Sequence, residues 1–158
     1  NHTCQVCEET VCKKCVQLLE EDTFSFMEKV PEVLTHHSYC APCFDENVVP
    51  ALESYNEIMG RAKEVFVFFI TQKKEVPYLK KAKEFYKIKD CPDRNETIMR
   101  MAFFAARDGY NALAEVVVES EKIRNGSYQT SNWGGVGIAV SIDGERLDRQ
   151  DLRNRMYT

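Results

Sequence analysis

Six of the seven cysteines in this 158-residue chain form three C-x2-C pairs within the first 43 residues. The pairs are Cys4 and Cys7, Cys12 and Cys15, and Cys40 and Cys43. A gap of two residues lets the backbone turn so that both sulfurs of a pair reach one ion at about 2.3 Å. Zinc accepts four thiolates in tetrahedral geometry and requires no redox chemistry. The spacing therefore predicts structural Zn2+ bound by these six cysteines.

Three other uses of the pairs remain open: a thiol redox motif, a disulfide cluster and an iron-sulfur centre. A redox C-x2-C usually stands alone near a strand-helix junction of a thioredoxin-like unit, which this N-terminal stretch does not resemble. An odd cysteine count with C-x2-C grouping is more typical of reduced thiolates than of a disulfide framework. We therefore expect a cytoplasmic protein.

Residues 2–15 and 39–44 resemble the latter three-quarters of a FYVE-type zinc finger. That family has C-x2-C-x4-C-x2-C, followed later by a final C-x2-C and an aromatic residue, which is Phe44 here. The resemblance covers residues 1–44 and implies a cross-brace, in which Cys4, Cys7, Cys40 and Cys43 share one zinc ion.

The same resemblance leaves the metal site of Cys12 and Cys15 without its other two ligands. It implies that their partner C-x2-C would stand before Asn1, or that the second site has been lost or rebuilt. His36 and His37 are candidate replacement ligands, although they can equally be ordinary polar loop residues. A cluster of six thiolates with two zinc ions and bridging sulfurs is a further alternative.

The lipid-binding function of that family is not expected here. Its phosphoinositide-binding members use a basic stretch before the third cysteine and an arginine before the seventh. The matching positions here are Asn1-His2-Thr3 and Ser38-Tyr39, which lack cations to hold a phosphorylated head group. We expect a protein-binding or structural finger.

The rest of the chain predicts an α+β fold with an antiparallel sheet packed against helices. We expect four parts, namely a zinc-binding module at 1–45, a linking helix at 46–63, an α+β domain at 64–143 and a charged tail at 144–158. Apolar residues at helical spacing, from Val48 to Ala62, support the linking helix.

Within the α+β domain, local signals define one helix and several strands. A capping box begins at Asp93, and Gly109 ends the helix that follows it. Strands are expected at 65–71, in a central position, and at 86–89, 113–119, 128–133 and 136–142. A lysine-rich element is expected at 77–85, and Asn125-Gly126 as a tight turn.

Residues 86–142 also bear a resemblance to a bacterial family of small proteins described as heavy-metal-binding. Residues 105–113 are similar to its helix and G-A-N-A-like turn, and residues 137–140 to its G-x-A-V segment. Members of that family assemble as rings, so the resemblance implies possible self-association as well as a sheet fold.

Little in the sequence indicates catalysis. Cys91 stands alone beside Pro92, and the chain contains three histidines and no H-E-x-x-H, nucleophile elbow or Walker loop. We expect no enzyme.

Charge and hydropathy limit the classes of partner that the protein can bind. The formal charge of -4 offers no attraction to nucleic acid, and the longest apolar run, 65–70, is too short to span a bilayer. The leading hypothesis is a zinc-dependent protein-binding or scaffolding protein whose partner is another protein or a second copy. The alternatives are a metal-handling or thiol-redox protein and, third, a phosphoinositide-binding membrane module.

Overall fold

A computed structural model describes residues 2–71 and 78–142. The side chains of five residues inside strands are excluded from that description, namely Tyr78, Ile123, Asn125, Tyr128 and Gln129. The chain divides into two compact units, Asn1–Glu57 and Ile58–Thr158. The tail expected at 144–158 lies outside the described residues.

The first unit contains four strands of two residues each. They are β1 (His2–Thr3), β2 (Thr10–Val11), β3 (Gln17–Leu18) and β4 (Ser38–Tyr39). β1 pairs with β2, and β3 pairs with β4, both in antiparallel fashion. These two short antiparallel ladders reverse the direction of the chain and so place its loops close together.

Helical structure follows β4. A 3-10 turn at Glu32–Leu34 precedes the strand, and a short α1 (Ala41–Cys43) comes directly after Cys40. A π-helical stretch (Phe44–Val48) then leads into α2 (Val49–Ala62). Pro42 fits within α1 because the first helical turn needs no backbone N–H there.

The core of the first unit is small and partly aromatic. Phe24 and Tyr55 make an edge-to-face contact with ring centroids 5.3 Å apart, and the Tyr39 ring meets that of Phe44 at 5.9 Å. The buried Tyr39 hydroxyl donates a hydrogen bond to the Val33 carbonyl at 2.8 Å. Burying the phenol ring therefore leaves no unsatisfied hydroxyl.

The second unit is an α+β fold, as the sequence predicted. Its strands are β5 (Phe66–Phe69), β6 (Tyr78–Cys91), β7 (Ala112–Asn125) and β8 (Tyr128–Ile142), with α3 (Arg94–Arg107) between β6 and β7. The sheet order is β5-β7-β8-β6. β7 and β6 each pair antiparallel with β8, whereas β5 pairs parallel with β7.

Helix α3 begins and ends where local chemistry requires. The Asp93 carboxylate accepts the N–H of Glu96 at 2.7 Å and caps the helix, and Gly109 follows it with φ of +87°. The helix buries one face against the sheet, including Ile98, Met101 and Phe103. The sequence predictions of its cap and its end are confirmed.

Three strand predictions were wrong. The segment 65–71 was expected at the centre of the sheet, but β5 lies at an edge. The elements at 77–85 and 86–89 are one strand, β6, with irregular register, and those at 128–133 and 136–142 are one strand, β8. The hairpin loop is Gly126-Ser127, because Asn125 still pairs with Tyr128.

No helix in the described ranges is both long enough and apolar enough to cross a membrane.

Candidate metal centre

The first cysteine pair lies in the loop between β1 and β2. The Cys4 N–H donates to the Glu9 carbonyl at 2.8 Å, and the Glu8 N–H donates back to the Cys4 carbonyl at 2.8 Å. Glu8 adopts a left-handed conformation with φ of +66°, which closes the loop. This tight turn directs Cys4, which is fully buried, and Cys7 to the same side.

The third pair follows β4 directly. Cys40 is the residue before α1, and its carbonyl accepts the Phe44 N–H at 2.9 Å. Cys43 is the last residue of α1. The two thiols are therefore held at the start of a helix, where the strand stops.

Gln5 fastens the first loop to β4. Its side-chain oxygen accepts the N–H groups of His37, at 2.6 Å, and Ser38, at 3.0 Å. Its own N–H donates to the Ser38 carbonyl at 3.0 Å. Sequence reasoning missed this residue, because only the partners reveal its role and they lie more than 30 positions away.

The structure brings four thiols together. The sulfurs of Cys4, Cys7, Cys40 and Cys43 all lie within 4.8 Å of one another. Cys7 Sγ and Cys40 Sγ are 3.7 Å apart, too far for a disulfide, which requires about 2.05 Å. A tetrahedron with metal-sulfur bonds of about 2.3 Å has sulfur-sulfur edges of about 3.8 Å. The four cysteines are thus close enough to hold one metal ion.

Apolar side chains surround the sulfurs. Val11 is buried beside Cys4 and Cys40, and Val6 and Val16 pack against the same cluster. Excluding water on this side strengthens the interaction between a cation and thiolates.

Thiol ionisation in the cluster is uneven. Burial alone would raise the pKa of Cys4, but hydrogen bonds from the N–H groups of Cys7, Cys40 and Val6 outweigh burial and lower the pKa to about 6. Hydrogen bonding to Cys40, together with burial, raises the pKa of Cys43 far above its usual value. A lowered pKa at a buried cysteine is typical of a site prepared for a cation.

The pKa of Cys7 is subject to interactions that lower it and interactions that raise it. The Glu9 N–H lowers the pKa of Cys7, but the hydrogen bond with Cys4, burial and the neighbouring Cys40 together raise it above the usual value. Neighbouring sulfurs compete for protons in this cluster, since only part of the negative charge can be accommodated without a cation.

Cys12 and Cys15 stand apart from these four. Both are exposed, in the turn between β2 and β3. A hydrogen bond from Cys15 is the main reason that the pKa of Cys12 is lowered, and the same bond raises the pKa of Cys15. Within residues 2–71 and 78–142, no third His, Cys, Asp or Glu joins them in a metal-binding group.

The two histidines considered as replacement ligands are engaged elsewhere. His37 Nδ1 lies 3.3 Å from the Leu19 carbonyl, and the His36 ring packs near that of Tyr39 with centroids 6.1 Å apart. Neither belongs to a group of three or more potential ligands in the described part of the chain.

Cys91 lies in the second unit. It is buried at the end of β6, and its Sγ is 3.8 Å from the Lys89 carbonyl. It is therefore a small core residue.

Comparisons with models of protein families, with curated proteins and with solved structures found no match.

Proposed function

We propose that the first unit is a zinc-stabilised module in which Cys4, Cys7, Cys40 and Cys43 bind one Zn2+, and that the protein works as a protein-binding or scaffolding component. The observation that carries this proposal is the convergence of four sulfurs that all lie within 4.8 Å of one another. Two of them come from a loop near the start of the chain, and the other two follow β4.

The donor set favours zinc among biological metals. Thiolate-only sites with tetrahedral spacing are typical of structural zinc, while magnesium and calcium require oxygen ligands. All four positions around the ion would be filled by protein sulfurs. A closed site of this kind braces a fold and leaves no position for a substrate.

The charge of the first unit favours a protein partner over a lipid or a nucleic acid. Residues 1–57 contain eleven acidic side chains and three lysines, hence a formal charge of -8. All fourteen of these side chains are exposed. Anionic lipid surfaces and phosphate backbones would be repelled, whereas a lysine-rich protein segment would be attracted.

Zinc content after a single substitution tests the metal site. Reduced protein with Cys40→Ser should lose the zinc bound at this site, because three thiolates cannot complete it and the remaining ligands sit in an unfolded loop. Cys91→Ser is the matched control, since it removes a buried thiol from the other unit and should retain all the zinc. Mass spectrometry under native conditions counts the ions.

Equal zinc content in Cys40→Ser and Cys91→Ser would refute the assignment. A separate assay tests the proposed protein partner. It measures binding of the protein to a lysine-rich peptide and to vesicles containing anionic phosphoinositide. Metal-loaded protein should bind the peptide and not the vesicles, and Cys40→Ser should lose the peptide binding. Vesicle binding by the metal-loaded protein would support the membrane alternative.

A further inference from the structure

The face of the sheet that points away from α3 carries an open groove. A Cβ on Gly135 or Gly137 would lie 3.2 Å or 3.4 Å from the Met101 side chain of α3. Gly134 and Val136 alternate with these glycines along β8 and therefore point to the opposite, outer face. Both line a groove of about 860 Å³, and in the described part of the chain every residue along it belongs to β6, β7 or β8.

The groove has one basic wall and one acidic wall. β8 forms the floor, because it lies between β6 and β7 in the sheet. Lys87 and Lys89 of β6 line one side, and Glu119 and Glu121 of β7 line the other. All four residues are exposed. Since β6 and β7 each lie one strand spacing from β8, the two walls run parallel to β8 and are about 10 Å apart.

The two walls meet at one end of the groove. Lys81 Nζ of β6 lies 3.2 Å from Glu115 Oε2 of β7, so this ion pair crosses above β8. Further along β8, between Lys87 and Glu119, the walls stay apart and the groove is open. The open part therefore presents two parallel rows of opposite charge.

An apolar side chain lies beside the basic wall. Tyr86 contacts Phe104 of α3, with ring centroids 5.7 Å apart, so its neighbour Phe85 points to the outer face. Phe85 is 45% exposed and precedes Lys87 by two residues. A partner on this face would cover an exposed aromatic ring as well as the charged rows.

Rows of opposite sign select a partner that carries both signs. A polyanion attracted to the lysines would be repelled by the glutamates, and a polycation would meet the reverse. A second copy of the same sheet has the required arrangement. When two outer faces meet across a two-fold axis parallel to β8, β6 of each copy lies over β7 of the other, and each basic wall faces an acidic one.

We propose that this outer face binds the same face of a second copy and so forms a two-fold symmetric pair. Glu119 pairs with Gly134, and Lys89 follows Ile88, which pairs with Gly135, so Lys89 and Glu119 lie at the same level of β8. The two-fold axis sets Lys89 of one copy opposite Glu119 of the other, twice. Aligned sheets pack about 10 Å apart, a gap that these long side chains bridge together. This inference goes beyond the proposed function, since it concerns the second unit and needs no metal.

Charge reversal on either wall tests the inference. Sedimentation equilibrium of the reduced chain should give twice its mass of 18.3 kDa. Lys87→Glu with Lys89→Glu makes both walls acidic, and Glu119→Lys with Glu121→Lys makes both walls basic. In each variant the contacts between facing walls become repulsive, so self-pairing should weaken about tenfold or more.

Mixing the two variants gives the sharpest readout. An acidic face and a basic face attract each other, so an equimolar mixture should form a pair that contains one chain of each kind. Isotope labelling of one variant lets native mass spectrometry distinguish the mixed pair from pairs of identical chains. Restoration by mixing requires contact between these two walls, and a change in folding alone would not produce it.

Lys63→Glu with Lys122→Glu is the matched control. Both lysines are exposed in the second unit and lie outside the groove, and the change in charge equals that of the reversed basic wall. This control should pair as tightly as wild type. Circular dichroism checks that every variant is folded, and all variants should bind as much zinc as wild type.

Several results would overturn the inference. They are a wild-type chain that stays single up to millimolar concentration, reversal variants that pair as tightly as wild type, and a mixture that stays single. An assembly of more than two copies would also contradict it, because a two-fold contact between faces closes at two. A chain that pairs as expected but binds no zinc would support this inference and overturn the proposed function.

Discussion

Replacing Gly135 with alanine tests how closely α3 packs on the sheet. Gly135 lies in β8, paired with Val118 of β7 and Ile88 of β6. A Cβ at this position would be 2.9 Å from the Val117 carbonyl oxygen, 3.1 Å from Thr97 Cγ2 and 3.2 Å from Met101 Cε. The Met101 methyl could move, but the backbone oxygen could not.

Thr97 has little freedom to give way. It is fully buried, and its hydroxyl donates to the Asp93 carbonyl at 2.9 Å. Overpacking of this kind costs about 1–3 kcal/mol of folding stability. Replacing a glycine also lowers the conformational entropy of the unfolded chain, which stabilises the folded protein by about 0.5–1 kcal/mol. Gly135→Ala should therefore destabilise the second unit by about 1–2 kcal/mol, or lower its Tm by roughly 5–15 °C.

Gly60→Ala is the matched control. Gly60 is exposed within α2, and a Cβ there would meet nothing within 4 Å. The change should raise helix stability by about 0.5–1 kcal/mol. Urea unfolding followed by the fluorescence of Trp133, the only tryptophan, reports on the second unit. If Gly135→Ala were as stable as wild type, the described contact between α3 and β8 would be wrong.

Two further changes in the second unit have defined outcomes. Asp93→Ala removes the cap on the Glu96 N–H and should cost about 1 kcal/mol, and thermal unfolding that matches wild type would count against the cap. Burial would raise the pKa of Asp108, but hydrogen bonds from Arg107 and Tyr86 lower it below the usual range, so its ionised form stabilises the fold. Because Asp108 is 38% exposed, Asp108→Asn should cost less than about 1 kcal/mol at pH 7, and this difference should shrink as the pH falls below about 4. Urea midpoints of both proteins across that range measure it, and a constant difference would contradict the assignment.

The features that the sequence predicted well are those that local chemistry determines. Asp93 and Glu96 define the start of α3 within one turn, and Gly109 supplies the positive φ that ends it. Neither depends on where the rest of the chain lies. The C-x2-C turns are local in the same sense, since each closes through backbone bonds within five residues.

Position within the sheet depends on distant partners, and those predictions failed. An apolar run indicates that a strand is covered on both faces, and Val67 and Phe68 are indeed buried. Coverage does not reveal how many strands lie beside it, so β5 could not be distinguished from a central strand. Its parallel pairing with β7 requires α3 and β6 to fold in between, which no short window shows.

The glycines of β8 were misleading for a related reason. Gly134 and Gly135 fall between the strands expected at 128–133 and 136–142, and glycine weakens an isolated strand. In the fold they continue the ladder, and Gly135 provides the space that Met101 and Thr97 occupy. Only the position of α3 against the sheet explains why residue 135 is a glycine.

The residues of the candidate site and the grouping of four of them were predictable, but the bonds that hold the four together were not. Spacing alone selected six cysteines, and the resemblance to a cross-brace finger implied that Cys4 and Cys7 share an ion with Cys40 and Cys43. The structure places those four together and leaves Cys12 and Cys15 outside. The bonds that arrange this run through Gln5, whose amide contacts His37 and Ser38, and no spacing rule identifies such a residue.

The two units differ in what can hold them folded. Of the buried apolar residues in the described ranges, nine lie in the first unit and 21 in the second. Strands of two residues contribute little stability alone, whereas structural zinc contributes roughly 10–16 kcal/mol. With zinc at the proposed site, the first unit should depend on its metal, while the second unit has a core of its own. A metal-free chain should keep a folded sheet around Trp133 after the first unit has lost its structure.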